Sequence, residues 1–281
     1  MEGDMRTHWL ALVAVAVVLG HPVMAADLSL NPLFYRPLPR VVVPAYWTGC
    51  YGGGSVGGIV ENDTTNIRVV DPTGFATAPL ATGVIPTSFN YGRGNVIGGG
   101  QLGCNYQVGS WVFGIETDFS GTRLDRGETI NTAVTGLGFA SLASTVSQNL
   151  NWLGTSRGRI GAAWDNFLFY ATGGAAYGQV SYTYTLNNAV AGGGVSIAAA
   201  DSATEVGWTV GGGVEVGIAG WTWKAEYLYY ALGDHTLNAP CTLLGGGPCA
   251  VPNTVFSANY QNRGSIARIG LNYRFGANPA Y

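Results

Sequence analysis

The residues able to do chemistry in this chain are few and evenly spaced. Only 10% of its 281 residues are charged, yet the charges recur at alternate positions. Glu116 and Asp118 form one pair, Arg157 and Arg159 a second, Lys224 and Glu226 a third, and Arg268 shares its parity with Arg274. Glu215 sits in a run where every second residue is small. Two carboxylates on one face can act as general acid and base. The matching arginines argue instead for ion pairing, because a guanidinium grips a carboxylate through two parallel hydrogen bonds. Histidine offers little. His8 and His21 lie near the N-terminus, and His235 follows Asp234 directly. A Ser/His/Asp site would need a serine brought from another segment, such as Ser202 beside Asp201, and nothing marks an activated nucleophile. Cys50, Cys104, Cys241 and Cys249 contain no C-x2-C spacing, so no metal site is expected. The glycine clusters do not precede helices, so no phosphate loop or other cofactor site is expected either. The sequence assigns no catalytic residue, no cofactor and no metal ligand.

The elements that carry these charges alternate with a period of two. From Ser265 to Phe275, Ala267, Ile269, Leu271, Tyr273 and Phe275 share one face, while Arg268, Gly270, Asn272 and Arg274 share the other. Trp221, Trp223, Ala225, Tyr227 and Tyr229 oppose Thr222, Lys224 and Glu226. Val206–Ile218, Trp111–Phe119 and Trp152–Trp164 behave alike, and glycine dilutes the same pattern in Tyr46–Val60, Gly94–Val108 and Phe167–Thr185. These are eight strands. Gly109-Ser110, Asp165-Asn166 and Ala219-Gly220 read as two-residue hairpin turns, whereas residues 61–93, 122–150, 186–205 and 233–262 read as long connections.

The face richest in Trp and Tyr is the face without charge. A soluble β-sandwich would put charge on its outer face; this chain reverses that order. No window beyond residue 25 approaches 18 consecutive apolar residues, so no membrane-spanning helix is expected. A closed sheet is the other way across a bilayer, since an open edge cannot face lipid. Short turns on one side and long loops on the other fit such a barrel. The expected fold is therefore all-β: an eight-stranded antiparallel up-and-down transmembrane β-barrel with short periplasmic turns and four long extracellular loops.

A bore of eight strands is just wide enough for side chains to fill. The inward set then holds Glu116, Asp118, Glu215 and Glu226 against Arg157, Arg159, Lys224, Arg268 and Arg274. An unpaired charge there costs several kcal/mol by order of magnitude, so an Arg–carboxylate network is expected to plug the lumen. The competing reading lines a narrow ion path with the same groups.

Residues 1–25 read as a secretory signal peptide. Arg6 supplies the positive region, Trp9–Leu19 the apolar stretch, and Val23-Met24-Ala25 the small residues before cleavage. Glu2 and Asp4 are unusual in that position and raise Met5 as an alternative start. Residues 26–45, with Pro32, Pro37, Pro39 and Pro44, read as an extended linker, residues 46–275 as the barrel, and residues 276–281 as a short tail. Export invites disulfides. Cys241 and Cys249 bracket a short Gly/Pro-rich segment and are expected to bond. Cys50 and Cys104 fall on neighbouring strands, where a cross-strand disulfide and two free thiols are both open.

The strands also carry recognisable strings. Trp47-Thr48-Gly49-Cys50-Tyr51-Gly52-Gly53 resembles the first strand of the small outer-membrane immunogenic protein, or porin-family, barrels of alphaproteobacteria. Gly98–Gln107, Phe113–Asp118, Arg157–Gly161, Tyr170–Gly174, Gly207–Glu215, Lys224–Tyr229 and Arg268–Phe275 continue the resemblance over residues 46–275. It implies an OmpA-like barrel in the outer membrane, abundant and surface-exposed. Two departures stand out. Cys50 and Cys104 occupy places where the family has aromatic residues, and residues follow Phe275 where the family commonly ends.

The first expectation for function is an integral outer-membrane barrel with a structural or surface-interaction role. The alternative is a narrow channel for ions or very small solutes, and the third is a loop-borne enzyme. Expected partners are outer-membrane lipid and lipopolysaccharide, the barrel-assembly machinery during insertion, and a host or cell-surface partner met through the loops. The net charge of −3, with no basic block, argues against nucleic acid.

Overall fold

A computed structural model describes residues 47–70, 85–132, 142–188, 195–218, 220–243 and 254–275. The expected signal peptide, linker and tail lie outside the described residues. Eight strands follow in chain order: β1 (Gly49–Val70), β2 (Ser88–Val108), β3 (Trp111–Thr132), β4 (Leu142–Trp164), β5 (Phe167–Asn188), β6 (Val195–Ile218), β7 (Trp221–Leu243) and β8 (Val255–Phe275). Each pairs antiparallel with its neighbours, and β1 pairs with β8 to close the barrel. The pairs Val108↔Trp111, Trp164↔Phe167 and Ile218↔Trp221 leave two residues in each tight turn. Gly109, Asp165 and Gly220 supply the positive φ that such turns need, at 59°, 52° and 86°.

On the turn side the outer wall is apolar and ringed with aromatics. Trp111, Trp164, Trp221 and Tyr273 mark the lower rim, all exposed. Phe119, Trp152, Tyr177, Trp208 and Tyr229 mark an upper rim, where Phe119 stacks on Trp152 at 5.1 Å and Trp208 leans on Tyr229 at 5.5 Å. From Trp208 to Ile218 is ten strand residues, about 25 Å once tilted, the height of a hydrocarbon band.

Above the upper rim the strands differ from the expectation. They continue through most of what reads as long connections, reaching Val70, Thr132, Asn188 and Leu243 before the chain turns. The physical reason is that alternation persists while its polarity inverts. In β5, outward Phe169 and Tyr177 give way to outward Ser181, Thr183 and Thr185, while Val180, Tyr182, Tyr184 and Leu186 point inward and are buried. In β8, outward Ser257, Asn259 and Gln261 alternate with buried Phe256, Ala258 and Tyr260. This upper part is wetted outside and packed inside, like a soluble β-protein. Register shifts at Gly121/Leu124, Leu150/Trp152 and Ala231/Asp234 mark the level of the change.

The upper part is also no longer one continuous sheet. The β2–β3 ladder stops at Ile97↔Thr122, and the β6–β7 ladder is missing between Ile197 and Trp208. Over that span the ladders join β3–β4–β5–β6 into one sheet and β7–β8–β1–β2 into another, and β6 and β7 pair again above it at Val195–Ile197 with Cys241–Leu243. Between them lies an apolar core that includes Phe89, Val146, Leu150, Tyr182, Tyr184, Ile197, Leu237, Phe256 and Tyr260. A closed barrel thus opens upward into a two-sheet sandwich.

Candidate functional site

The lumen of the lower barrel holds the charged cluster. Strand alternation sends every second residue inward, and ladder register sets Glu116 opposite Arg157, Lys224 opposite Glu215 and Glu226 opposite Arg268. The side chains then reach across the bore. Arg157 binds Glu116 at 2.6 Å and Asp118 at 2.9 Å through Nη2, and Glu226 at 3.0 Å through Nη1. Arg268 joins Glu226 at 2.6 Å and Asp118 at 2.9 Å, and Lys224 donates to Glu116 at 2.8 Å. Arg159 reaches Glu215 at 2.7 Å and Glu116 at 3.3 Å. All eight groups are buried. Four acids and four bases are joined in one network, which offsets the desolvation each would suffer alone.

Arg274 is also buried, opposite Tyr51 in the β1–β8 ladder. Its guanidinium lies 5.8 Å from the ring of Trp47, at the turn-side mouth. Trp47 is 1% exposed, packs with Val112, Leu168 and Tyr170, and donates its backbone N–H to Gln107 at 2.9 Å. The segment entering β1 therefore stops the lower mouth.

Sequence reasoning did not single out two tyrosines that complete the network. Tyr51 donates to Glu116 at 2.6 Å and accepts from Arg159 at 2.6 Å; Tyr170 donates to Glu226 at 2.9 Å while Arg159 stacks 4.1 Å above its ring. Both share parity with inward glycines or threonines, the signal that marks them. Small residues make the room. A Cβ at Gly213 would lie 2.7 Å from the Tyr170 hydroxyl, and one at Gly57 would lie 2.6 Å from Arg268 Cβ.

Cys50 and Cys104 are joined by a disulfide on the outer wall at the turn side. Cys241 is itself disulfide-bonded, but Cys249, its expected partner, lies outside the described residues. His235 belongs to β7, not to a loop. Its Nδ1 lies 2.8 Å from Glu205 and its Nε2 lies 3.3 Å from Asp201, with Tyr182 stacked 4.3 Å away. Ser202 bonds Ser181 at 2.6 Å. Among the described residues no group of His, Cys, Asp and Glu is arranged to hold a metal ion.

A closed antiparallel ring with an apolar girdled exterior and an ionic interior defines a transmembrane β-barrel. The outer membrane protein β-barrel domain family matches residues 13–275, and the chain belongs to it. The protein is located in the outer membrane. It is 28% identical over 270 residues to a 31 kDa outer-membrane immunogenic protein of Brucella melitensis, covering 94% of this chain and 98% of that one. It is 30% identical over 148 residues to a 22 kDa outer membrane protein of Rhizobium leguminosarum, covering 50% of this chain and 56% of that one. Among solved structures, OprG of Pseudomonas aeruginosa aligns with a TM-score of 0.43 at 13% identity over 82% of this chain and 98% of its own. The outer membrane protease OmpT of Escherichia coli aligns with a TM-score of 0.43 at 10% identity over 84% and 99%.

Proposed function

We propose that this protein is a non-conducting outer-membrane anchor that holds a β-extension above the cell surface for contact with its surroundings. The observation that carries the reading is the filled bore. Trp47 stops the lower mouth, the Arg157-centred network spans the middle, and the apolar core fills the sandwich above. A hydrated ion would have to break several buried ion pairs and then pass a dry core. Short turns in such barrels face the periplasm, so the extension faces outward. Its outer wall of Ser, Thr and Asn then meets the sugar layer of lipopolysaccharide, while the aromatic girdles meet lipid. The barrel-assembly machinery would insert the chain, and a host or neighbouring cell would meet the tips.

A catalytic role is disfavoured by His235 itself. Both ring nitrogens face carboxylates and one face is covered by Tyr182. Ser202, the neighbour of Asp201, is bonded to Ser181 at 2.6 Å instead. Planar-bilayer recording of the refolded protein tests the anchor reading. The expected trace has no discrete conductance steps. Steps that vanish on substituting Arg157 or Glu215 would overturn it in favour of a narrow channel.

A further inference from the structure

Over residues 198–207 of β6 and 232–240 of β7, no backbone ladder joins the two strands. The strands touch just below, where Trp208 pairs with Ala231, and meet again above, where Ile197 pairs with Cys241. Each remains in its own sheet, β6 through β5 and β7 through β8. The gap is therefore a seam between the two sheets of the extension, and side chains must hold it.

His235 of β7 lies across it. Glu205 Oε1 is 2.8 Å from Nδ1 and Asp201 Oδ2 is 3.3 Å from Nε2, both from β6. Counting protons decides what this arrangement needs. An ionised carboxylate only accepts hydrogen bonds, and a neutral imidazole has one donor. Nδ1 is hydrogen-bonded to Glu205, while Nε2 and the half-exposed Asp201 are close without a hydrogen bond, so Asp201 is drawn to the ring only by the charge of the imidazolium. With a neutral ring, the two carboxylates of β6 lose the positive charge that β7 offers them across an unladdered gap. Among the described residues, the other groups beside the ring are two tyrosines and an aspartate. Tyr182 of β5 stacks on the ring at 4.3 Å and points its hydroxyl to Glu205 at 3.4 Å. Tyr260 of β8 lies opposite His235 in register and donates to the Thr183 carbonyl at 2.8 Å. Asp234, next along β7, turns to Arg263 of β8 at 3.7 Å.

We propose that His235 is a proton-operated clasp: its imidazolium, held between Glu205 and Asp201, fastens the β6–β7 seam in acid and loosens it at neutral pH. Histidine is the side chain whose ordinary charge change falls between pH 5 and 8, so surface acidification is the signal this seam reads. Loosening frees two strand edges, 198–207 and 232–240, for water or for pairing with another chain. The inference does not depend on whether the bore conducts.

Hydrogen–deuterium exchange on the barrel in lipid nanodiscs tests it. Peptides covering 198–207 and 232–240 are followed at pH 5.0 and 7.5, with rates corrected for the intrinsic pH dependence of exchange. Protection in acid should exceed that at neutral pH by about tenfold, which corresponds to about 1.4 kcal/mol. The β3–β4 ladder should show no such difference. His235→Gln keeps a donor but cannot charge, so its profile should be flat; Glu205→Gln should weaken the contrast. Heat-modifiable migration verifies that each variant forms the barrel. Nitrogen-15 spectra of the wild-type ring should show both nitrogens protonated at pH 5.0. Equal protection at both pH values, the same contrast in His235→Gln, or a singly protonated ring in acid would overturn the proposal.

Discussion

Arg157 illustrates how a single side chain carries the lumen. It touches Glu116, Asp118 and Glu226, from two other strands, and its own side chain is fully buried. Arg157→Ala leaves three carboxylates short of a partner in a site water cannot easily reach. Removing one partner of a buried pair typically costs about 3–5 kcal/mol. The expected outcome is a lower urea midpoint in vesicles with an unchanged transition slope. Arg157→Lys should recover only part of the loss, because an ammonium lacks the planar fork that spans separate carboxylates. Higher up, burial pushes the Tyr184 hydroxyl up to about 12 from its ordinary 10.0. The folded form thus holds this proton more tightly than the unfolded form. The stabilising effect is complete below pH 10 and is lost as pH rises from there through the folded value, a loss of about 2–3 kcal/mol by pH 12. Tyr184→Phe should therefore flatten the alkaline loss of extension structure between those pH values, as followed by circular dichroism.

At the scale of elements, the β1–β2 hairpin is closed at both ends. Its chain connection lies at the far side, and the Cys50–Cys104 bond ties its lower ends across a sequence separation of 54 residues. Closing a loop of that length removes about 4 kcal/mol of unfolded-state freedom in the chain-entropy account. Cys50→Ser with Cys104→Ser should lower the unfolding midpoint and raise exchange first at the turn-side end of β1, as hydrogen exchange would read. The lower strands and the three tight turns are legible in the sequence because one rule governs them: charge or glycine inward, aromatic outward, two residues between. The extension is not legible by that rule. Phe256, Ala258 and Tyr260 alternate with Ser257, Asn259 and Gln261 as strictly as Trp221–Tyr229 does, but with the apolar set inward. A reading keyed to lipid takes that reversal for a loop. The candidate lumen residues are found by parity alone, yet parity cannot say how far up or down a bore a side chain reaches, and only the structure places Arg274 beside Trp47. The two seams leave no mark in alternation, because a strand paired on one edge alternates just as one paired on both. Only three-dimensional register distinguishes them.

For the whole molecule, the inversion of polarity sets its position in the membrane. The strands are 21–24 residues long, roughly 70–80 Å measured along the chain and about 55 Å once tilted near 40°. The apolar band between the girdles takes about 25 Å of that height. The turns lie close to the lower girdle, since Trp111, Trp164 and Trp221 directly follow or precede them. Nearly all the remainder, about 30 Å, must project from one face. Atomic force microscopy of the protein in a supported bilayer should record protrusions of that height on one side and only a few ångströms on the other. Brominated lipids should quench the lower Trp residues and those of the upper rim, while Tyr182 and Tyr260, buried in the sandwich core, should be insensitive to bromine depth. Equal heights on both faces would mean that the Ser/Thr/Asn wall lies within the bilayer. That arrangement would place a whole surface of hydrogen-bonding side chains in hydrocarbon, where each unsatisfied group costs several kcal/mol. Asymmetry of height is therefore the direct mechanical reading of the change in polarity along each strand.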